Sequence, residues 1–327
     1  MQRFKNILFV MEPDYVNVAA LARALASASA LAVHNQACLT VVQVIDEIPN
    51  SAKLVERVLF PEDLQARIVA NHLNRLREQV TPWKKTIKIQ TKVLVGTPFL
   101  ETIRNILRNE HDLVIKAAEQ SDLLNRILGS NDMHLLRKCP CPVWLLKPKS
   151  PKDCHCILAA VDVDYSFPPT ASNTKHQLNL QTLEMASSLA LSESAQLHII
   201  NAWEASGESM LRSALVNTPE QQVDRYVEEV QQKHRQNLQA LMDEALCKLA
   251  PRDLEYIDPK THLIKGLPGK EIPILVDKIA ADLVVMGTVA RTGIPGFIIG
   301  NTAETILNQI NCSVLAVKPP GFVTPVA

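Results

Sequence analysis

The residues best suited to chemistry form a glycine-rich segment at 286–304, with the sequence MGTVARTGIPGFIIGNTAE. Its glycines are Gly287, Gly293, Gly296 and Gly300, and the polar pair Asn301-Thr302 follows them. Glycine lets a phosphate approach the backbone closely, because a Cβ atom would block that approach. A helix beginning at the polar pair would also offer free amide hydrogens and a partial positive charge to an anion. The segment therefore predicts a phosphate-binding loop.

Hydrolysis of a bound phosphate compound would require more groups than this segment supplies. A catalytic site needs a nucleophile or base, a group that stabilises developing charge, and usually ligands for Mg²⁺. The segment offers Thr288, Arg291, Thr292, Asn301 and Thr302, without an adjacent pair of carboxylates. The chain also has no Walker-type G-x-x-x-x-G-K-[ST] sequence. We therefore expect no strong catalytic activity, and slow hydrolysis of ATP stays open as an alternative.

Two closely spaced cysteine pairs are the nearest approach to a metal-binding motif. They are Cys139-Pro-Cys141 and Cys154-His-Cys156. Known zinc motifs favour two or more residues between paired cysteines. Cys141 and Cys156 each open a predicted strand, and two strand starts separated by a full strand and a linker are poorly placed to share one ion. We therefore predict no metal site.

The elements that must position these residues occur twice in the chain. The matching segments include DLVI at 112–115 with DLVV at 282–285, and CPVWLLKPK at 141–149 with CSVLAVKPP at 312–320. The matches keep the same order, as expected for two copies of one domain. Between them, 147–153 is charged and contains two prolines, so neither strand nor helix should continue through it. We predict domains at 1–149 and 154–320.

Each copy reads as strands that alternate with helices. The predicted strands lie at 6–11, 38–45, 87–95, 112–117 and 142–147 in copy one, and at 156–162, 196–202, 260–265, 282–287 and 313–317 in copy two. They are short apolar runs rich in Val, Ile and Leu, as strands buried on both faces of a parallel sheet are. A long amphipathic segment at 219–249 should cover the sheet as an outer helix. The pattern predicts two tandem α/β sandwich domains, each with a five-stranded parallel sheet.

Charge and hydropathy bear on the partners of the protein. Lys plus Arg and Asp plus Glu both number 34, so the surface has no net field to attract nucleic acid or anionic lipid, and we expect neither as a partner. No apolar run reaches the length that a membrane span needs. The short apolar run at the N-terminus is followed at once by an acid, which favours a strand over a signal peptide. We expect a cytoplasmic protein.

Several short motifs, taken together, resemble those of the universal stress protein family in its tandem form, in which two domains are fused. They are KGLP, GTVARTGI and GNTAE in copy two and DMHLLRKCPCPVW in copy one. The resemblance covers nearly the whole chain. It implies a Rossmann-like fold of the adenine nucleotide alpha hydrolase type, a role in the stress response, and a site for ATP or a related adenine nucleotide.

Nucleotide-binding members of that family carry glycine, two residues, glycine, nine residues, glycine, and then Ser or Thr. The residues that the resemblance implies for copy two are Asp162, Gly287, Thr288, Ala290, Arg291, Gly300, Asn301 and Thr302. Ala290 replaces the second glycine, which costs roughly 1–2 kcal/mol if the backbone there needs a positive φ. Asn301 replaces Ser or Thr but can still donate and accept hydrogen bonds. We expect weakened nucleotide binding in copy two.

Copy one departs further from the signature. Gly129 and Ser130 preserve the last pair, whereas the first two glycines are absent and the loop is one residue shorter. Glu12 takes the place of Asp162 at the end of the first strand. These three residues mark a degenerate site, and copy one is not expected to bind ATP.

Three functional classes stay open on this basis. The first is a stress-response protein without catalysis that binds a nucleotide weakly and acts through partners, and the second is a slow ATPase. The third is a binding protein for a different, partly apolar ligand, because the loop at 294–299 is unusually apolar. A short helix packing onto the sheet also explains that loop, and its helical spacing makes this the preferred interpretation.

The last strand of each copy should also determine the assembly. Family members commonly pair through this strand, so we expect 142–147 to lie beside 313–317 in an internal pseudo-dimer. Such pairing would hide two sheet edges that otherwise favour aggregation. A further homodimer is an expectation of the same resemblance.

Overall fold

The computed structural model describes residues 4–13, 18–49, 64–85, 87–118, 130–147, 154–166, 169–213, 216, 218–288 and 299–326. The strands are β1 (Asn6–Met11), β2 (Cys38–Ile45), β3 (Ile89–Val95), β4 (Leu113–Ala117), β5 (Val143–Leu146), β6 (Cys156–Ala160), β7 (Gln196–Trp203), β8 (Lys260–Lys265), β9 (Leu283–Gly287) and β10 (Ser313–Val317). The α-helices are α1 (Val18–Asn35), α2 (Leu64–Gln79), α3 (Pro98–Asn109), α4 (Ser130–Lys138), α5 (Pro169–Glu193), α6 (Glu208–Leu211), α7 (Glu220–Leu246), α8 (Pro251–Ile257), α9 (Pro268–Ile279) and α10 (Asn301–Gln309). We call β1–β5 with α1–α4 the first half, and β6–β10 with α5–α10 the second half.

All the strands join one ten-stranded sheet in the order β3-β2-β1-β4-β5-β10-β9-β6-β7-β8. Within each half the paired strands are parallel and follow the same order, so the second half repeats the topology of the first. The order changes direction beside the first strand of each half, and open α/β sheets bind ligands at such a point, beyond the carboxyl ends of the strands. The predicted fold class is confirmed.

Both faces of the sheet are buried, which explains the continuous apolar runs in the sequence. In β1, Ile7 and Phe9 pack into the core beneath α1, whereas Leu8 and Val10 pack into the opposite core with Ile106 of α3. The side chains of a strand point alternately to its two faces, so every position of a central strand faces a helix layer.

The halves meet where β5 and β10 pair in antiparallel fashion at the centre of the sheet. Leu315 pairs with Trp144, and Val314 and Ala316 pair with the neighbouring residues of β5. The backbone N–H of Lys147 donates to Ser313 Oγ at 3.1 Å across this seam. Above the sheet, Arg137 of α4 and Glu304 of α10 form an ion pair at 3.0 Å. The predicted pairing of 142–147 with 313–317 is confirmed as an internal contact.

One strand prediction was wrong at its end. The segment was predicted as 156–162, whereas the strand ends at Ala160. Val161 N–H still donates to Ile200 O of β7 at 3.0 Å, and from the Val161 carbonyl onward side-chain amides replace the backbone partners. Asn201 Nδ2 donates to Val161 O at 3.1 Å, and Asn179 Nδ2 donates to Asp162 O at 2.7 Å.

The helices follow the amphipathic pattern of the sequence. Helix α7 covers the sheet as predicted for 219–249, with buried side chains that include Val223, Leu238 and Leu241. Helix α5 has Pro169 at its first position, where the missing N–H costs no hydrogen bond. In the described part of the chain, no helix combines the length and hydropathy needed to cross a membrane.

A polar contact between an outer helix and the second strand repeats in the two halves and ties the helices to the sheet. In the first half, His72 Nδ1 of α2 lies 3.0 Å from Gln43 Oε1 of β2. In the second half, His234 Nδ1 of α7 lies 3.0 Å from Asn201 Oδ1 of β7. A carbonyl oxygen only accepts, so each imidazole donates from Nδ1.

Candidate functional site

The candidate site lies at the carboxyl ends of β6 and β9, which are neighbours in the second half of the sheet. Gly287 ends β9, and Thr288 follows it with a side chain that is 1% exposed. The carbonyl oxygen of Thr288 accepts a hydrogen bond from Gly300 N–H at 3.0 Å. The glycine-rich segment therefore leaves the sheet at Thr288 and returns beside it, just before α10 begins.

The N-terminus of α10 is open to an anion. Its cap residue Gly300 has extended backbone (φ −60°) and places no side chain on the first free amides. Asn301 and Thr302, the first two helical residues, are both exposed. The first amides of a helix have no intrahelical acceptor and carry a partial positive charge. The free N–H groups at this end of α10 donate hydrogen bonds, so they suit an anionic ligand such as a phosphate, whose oxygens accept.

Helix packing requires a glycine at position 287, which the sequence alone did not reveal. A Cβ atom built on it would lie 2.6 Å from Cδ2 of Leu178 in α5. That distance is shorter than real contacts, so the glycine lets α5 pack closely over the end of β9. The space left by the missing side chain is thus already occupied by a residue of a neighbouring helix.

The hydroxyl of Thr288 is also engaged. Lys318, which follows β10, donates from Nζ to Thr288 Oγ1 at 3.0 Å and to the carbonyl oxygen of Leu136 in α4. The Lys318 side chain is 5% exposed, and its burial lowers its pKa to about 8. Lys318 therefore links the start of the candidate loop to the C-terminal part of a helix of the first half.

Asp162 stands at the far side of the site, on the loop after β6. Its Oδ2 lies 2.6 Å from Lys175 Nζ, and its Oδ1 accepts from Asp164 N–H at 3.1 Å. The Asp162 side chain is 62% exposed. Its carboxylate can meet a ligand, but Lys175 already neutralises its charge.

The same loop is held by a polar network behind Asp162. Asn237 Nδ2 of α7 donates to Val163 O at 3.0 Å, and Lys175 Nζ donates to Asp164 O at 2.8 Å. The Tyr165 hydroxyl lies 3.1 Å from His176 Nδ1, and burial raises the pKa of Tyr165. These contacts fix the loop on α5 and α7, so Asp162 is presented at a set position.

The corresponding crevice of the first half is filled by charged side chains. Lys116 of β4 is 1% exposed, and its Nζ lies 2.5 Å from Asp132 Oδ1 and 2.7 Å from Glu12 Oε1. Asp132 is fully buried in the first turn of α4. A small cavity remains there, with Glu12 and Lys116 in its wall beside the apolar Phe99 and further side chains.

The second half has uncharged residues at the equivalent positions. Aligning the DLVI and DLVV segments places Lys116 opposite Met286, and aligning the starts of α4 and α10 places Asp132 opposite Ala303. Met286 and Ala303 are both buried. Thus the carboxylate in the first turn of α4, Asp132, is buried against Lys116, whereas the one in the first turn of α10, Glu304, is partly exposed and pairs with Arg137.

Some proposed site residues lie outside the described residues, namely Gly129, Ala290 and Arg291. Ser130 is the exposed first residue of α4, beside the filled crevice. Within the described ranges, no group of three or more His, Cys, Asp or Glu side chains is arranged to hold a metal ion.

Sequence reasoning overlooked Lys116, Lys318 and Lys175. Lys116 could have been noticed, because a lysine within the apolar strand LVIKA must find a partner if it is buried. Its partner Asp132 could not be identified in advance, since 16 residues separate the two. Lys318 follows β10 and Lys175 lies within α5, and neither position has a distinctive signal in the sequence.

Three comparisons place these observations among known proteins. The sequence model of the Universal stress protein family matches residues 3–147 and 175–318. Universal stress protein E of Salmonella typhi is 29% identical over 330 residues, covering 100% of this chain and 98% of that protein. Universal stress protein E of Escherichia coli K12 is 28% identical over 329 residues, with the same coverage. A universal stress protein structure from Pseudomonas aeruginosa superimposes with a TM-score of 0.68 at 26% identity, covering 97% of this chain and 94% of that one.

Proposed function

The chain belongs to the universal stress protein family, and from this premise we propose that its second half binds an adenine nucleotide, ATP or AMP, weakly. The protein serves the stress response through this ligand or through protein partners, without strong catalytic activity. We assign the domains to 1–149 and 154–320. The proposed nucleotide-binding residues are Asp162, Gly287, Thr288, Ala290, Arg291, Gly300, Asn301 and Thr302.

The observation that carries this proposal is the open N-terminus of α10 beside the end of β9. Its first residues, Asn301 and Thr302, are exposed, and Gly300 adds no capping side chain. A helix end of this kind contributes ~0.3–1 kcal/mol to anion binding at an exposed site. Several amides acting on one phosphate raise that contribution, and Asn301 adds a side-chain donor.

Three contacts explain why the binding is weak. The Leu178 side chain occupies the space above Gly287, so a phosphate cannot approach the backbone there without displacing that side chain. Lys318 holds the Thr288 hydroxyl, and Lys175 holds the Asp162 carboxylate. A ligand must compete with these partners, and each exchange reduces the net free energy of binding.

The groups at α10 favour binding over hydrolysis. Glu304 in the first turn of α10 is already paired with Arg137. Asn301 and Thr302 are neutral, and neither is a general base at neutral pH. If slow hydrolysis of ATP does occur, its phosphate release should exceed that of a Gly300→Val variant.

A direct test combines ligand identification with titration. Small molecules released from the purified, gently denatured protein are identified by mass spectrometry, and the ligand-free protein is titrated with ATP and AMP by calorimetry. Thr302→Glu adds a negative charge at the N-terminus of α10 and should weaken ATP binding by at least about tenfold.

Asn131→Glu is the matched control, because Asn131 holds the second position of α4 as Thr302 does in α10. It should leave ATP binding unchanged. The proposal is wrong if ATP does not bind, if Thr302→Glu binds as the parent does, or if a lipid or acyl compound is released in place of a nucleotide.

A further inference from the structure

Two thiols lie in contact at the turn between α4 and β5. The Sγ atoms of Cys139 and Cys141 are 3.6 Å apart, and both residues are buried. The chain bends at Pro140 and Cys141, which turns both side chains to the same side. A disulfide bond is about 2.05 Å long, so the sulfurs need to approach by only ~1.5 Å to form one.

This turn lies next to the candidate site of the second half, because β10 runs antiparallel to β5. Ala316 pairs with Val143, the first residue of β5, so the residue after β10 reaches the turn. That residue, Lys318, donates to Leu136 O in the last turns of α4. The ammonium group therefore stands close to the thiols and interacts with Cys139.

The electrostatics distinguish the two thiols. Burial raises the pKa of Cys139, but the hydrogen bonds from Cys141 and the charge of Lys318 outweigh it, so the pKa of Cys139 is lowered. The contact with Cys139, followed by burial, raises the pKa of Cys141. The thiolate is the nucleophilic form of cysteine, so Cys139 is the attacking residue of the pair.

The equivalent turn between α10 and β10 lacks this arrangement. Of the three residues, only the second cysteine and the lysine have counterparts there. The equivalents of Cys139 and Cys141 are Ile310 and Cys312. Burial raises the pKa of Cys312 to about 12, even though Lys147 lowers it. The dithiol is therefore a property of the first half alone, and Cys312 provides a control within the same molecule.

We propose that Cys139 and Cys141 form a reversible dithiol–disulfide couple that is oxidised by a hydroperoxide. The Cys139 thiolate attacks one peroxide oxygen; an S–O bond forms, the O–O bond breaks, and the alkoxide or hydroxide leaves and takes up from solvent the proton that Cys139 had released. Cys141, deprotonated, then attacks the Cys139 sulfur, an S–S bond forms, and the hydroxyl group leaves as water with the proton of Cys141. The two thiols together supply the two electrons that reduce the peroxide.

The oxidant reaches Cys139 when the turn opens, so the reaction is slower than that of an exposed thiol. This step selects a small oxidant such as hydrogen peroxide over bulky disulfides. The proposal does not depend on nucleotide binding, since neither thiol belongs to the proposed nucleotide site.

The test uses the full chain with both exposed cysteines replaced, as Cys38→Ser/Cys247→Ser. The protein is treated with hydrogen peroxide, denatured, alkylated and digested. We expect the peptide carrying Cys139 and Cys141 to lose two hydrogen atoms and to escape alkylation, with recovery after dithiothreitol. Cys154, Cys156 and Cys312, whose pKa values are raised by burial, should remain alkylated.

Lys318→Met should slow disulfide formation several-fold, because the positive charge that helps to lower the pKa of Cys139 is lost. In Cys141→Ser, dimedone should trap Cys139 as a sulfenic acid, whereas Cys139→Ser should leave Cys141 unmodified. Full alkylation of both thiols, after an exposure to peroxide much longer than the one that oxidises Cys38 and Cys247 in the parent, would overturn the proposal even if the single variants fail to fold.

Discussion

At the N-terminus of α4, Asp132 and Lys116 are both buried, and their charged atoms are 2.5 Å apart. At the N-terminus of α10, the exposed residues are the neutral Asn301 and Thr302. The two helices begin at equivalent places in a repeated fold. The first half thus buries a carboxylate in the first turn of its helix, whereas the second half presents exposed neutral residues at that end to solvent or to a ligand.

This difference shows how a duplicated domain can lose a ligand without losing its fold. A carboxylate in the first turn of a helix interacts with the same partial positive charge that would attract a phosphate. Burying Asp132 requires a cation, and Lys116 supplies it from the neighbouring strand. In the second half Met286 and Ala303 need no such pairing. The proposed loss of nucleotide binding in the first half follows from occupancy by its own side chains.

The largest expected effect comes from breaking the buried pair. Lys116→Met leaves the fully buried Asp132 without its ammonium partner, and breaking a buried pair in this way costs about 3–5 kcal/mol. The free energy of unfolding is measured by urea denaturation. Adding Asp132→Ala reproduces the Met286 and Ala303 combination of the second half and should restore most of the stability. Equal stability of the single and double variants would show that the pair does not hold the two side chains together.

A second effect concerns the lysine after the last strand of each half. Burial lowers the pKa of Lys318 from 10.5 to about 8 in the folded protein. Between these pH values the unfolded chain binds more protons, so the stability of the parent relative to Lys318→Met should rise with pH, by up to about 3 kcal/mol. The lowered pKa of Cys139 acts in the same direction. Urea unfolding at a series of pH values measures the difference.

Lys147 is the counterpart of Lys318 and serves as the control. Burial also lowers its pKa, but its side chain is only partly buried. The parent should therefore gain less stability relative to Lys147→Met over the same pH range. An equal gain at both positions would contradict the different burial of the two lysines.

Much of the fold was predictable because the apolar runs are unambiguous. The strands β1 and β10 were placed at their observed bounds, and the pairing of β5 with β10 was expected from the resemblance to the universal stress protein family. The end of β6 was misplaced, because Val161 reads as a strand residue while its carbonyl oxygen bonds to Asn201. Side-chain partners that come from distant segments have no local sequence signal.

The candidate site was less predictable than the fold for the same reason. The glycine pattern located the end of β9 and the start of α10, but it gave no sign that Leu178 fills the space above Gly287. Likewise, Glu12 was read as a degenerate site residue, and its contact with Lys116 emerged only from the packed strands. A motif specifies residue types, whereas the occupancy of a crevice depends on side chains from other elements.

A smaller effect is expected where the halves differ at the end of the fourth strand. The counterpart of Gly287 in the first half is Ala117, whose methyl group is buried in the core. Gly287→Ala brings its methyl group against Leu178, and such overpacking costs typically ~1–3 kcal/mol. Thermal and urea unfolding measure this loss. In the Leu178→Ala background, Gly287→Ala should leave the free energy of unfolding nearly unchanged. If the penalty persists there, the backbone and not Leu178 requires the glycine.

The smallest effect distinguishes the two helix ends directly. Thr302→Asp adds a carboxylate to the open N-terminus of α10 and should stabilise the protein by ~0.3–1 kcal/mol through the helix dipole. Asn131→Asp makes the equivalent change in α4, but there Asp132 already occupies the helix end and would repel a second carboxylate. We therefore expect stabilisation in the second half and none in the first, measured as shifts of the urea midpoint at low salt. Shifts of the urea midpoint with the same sign and size in both halves would mean that Asp132 does not satisfy the N-terminus of α4. The contrast between the two crevices would then rest on Lys116 alone.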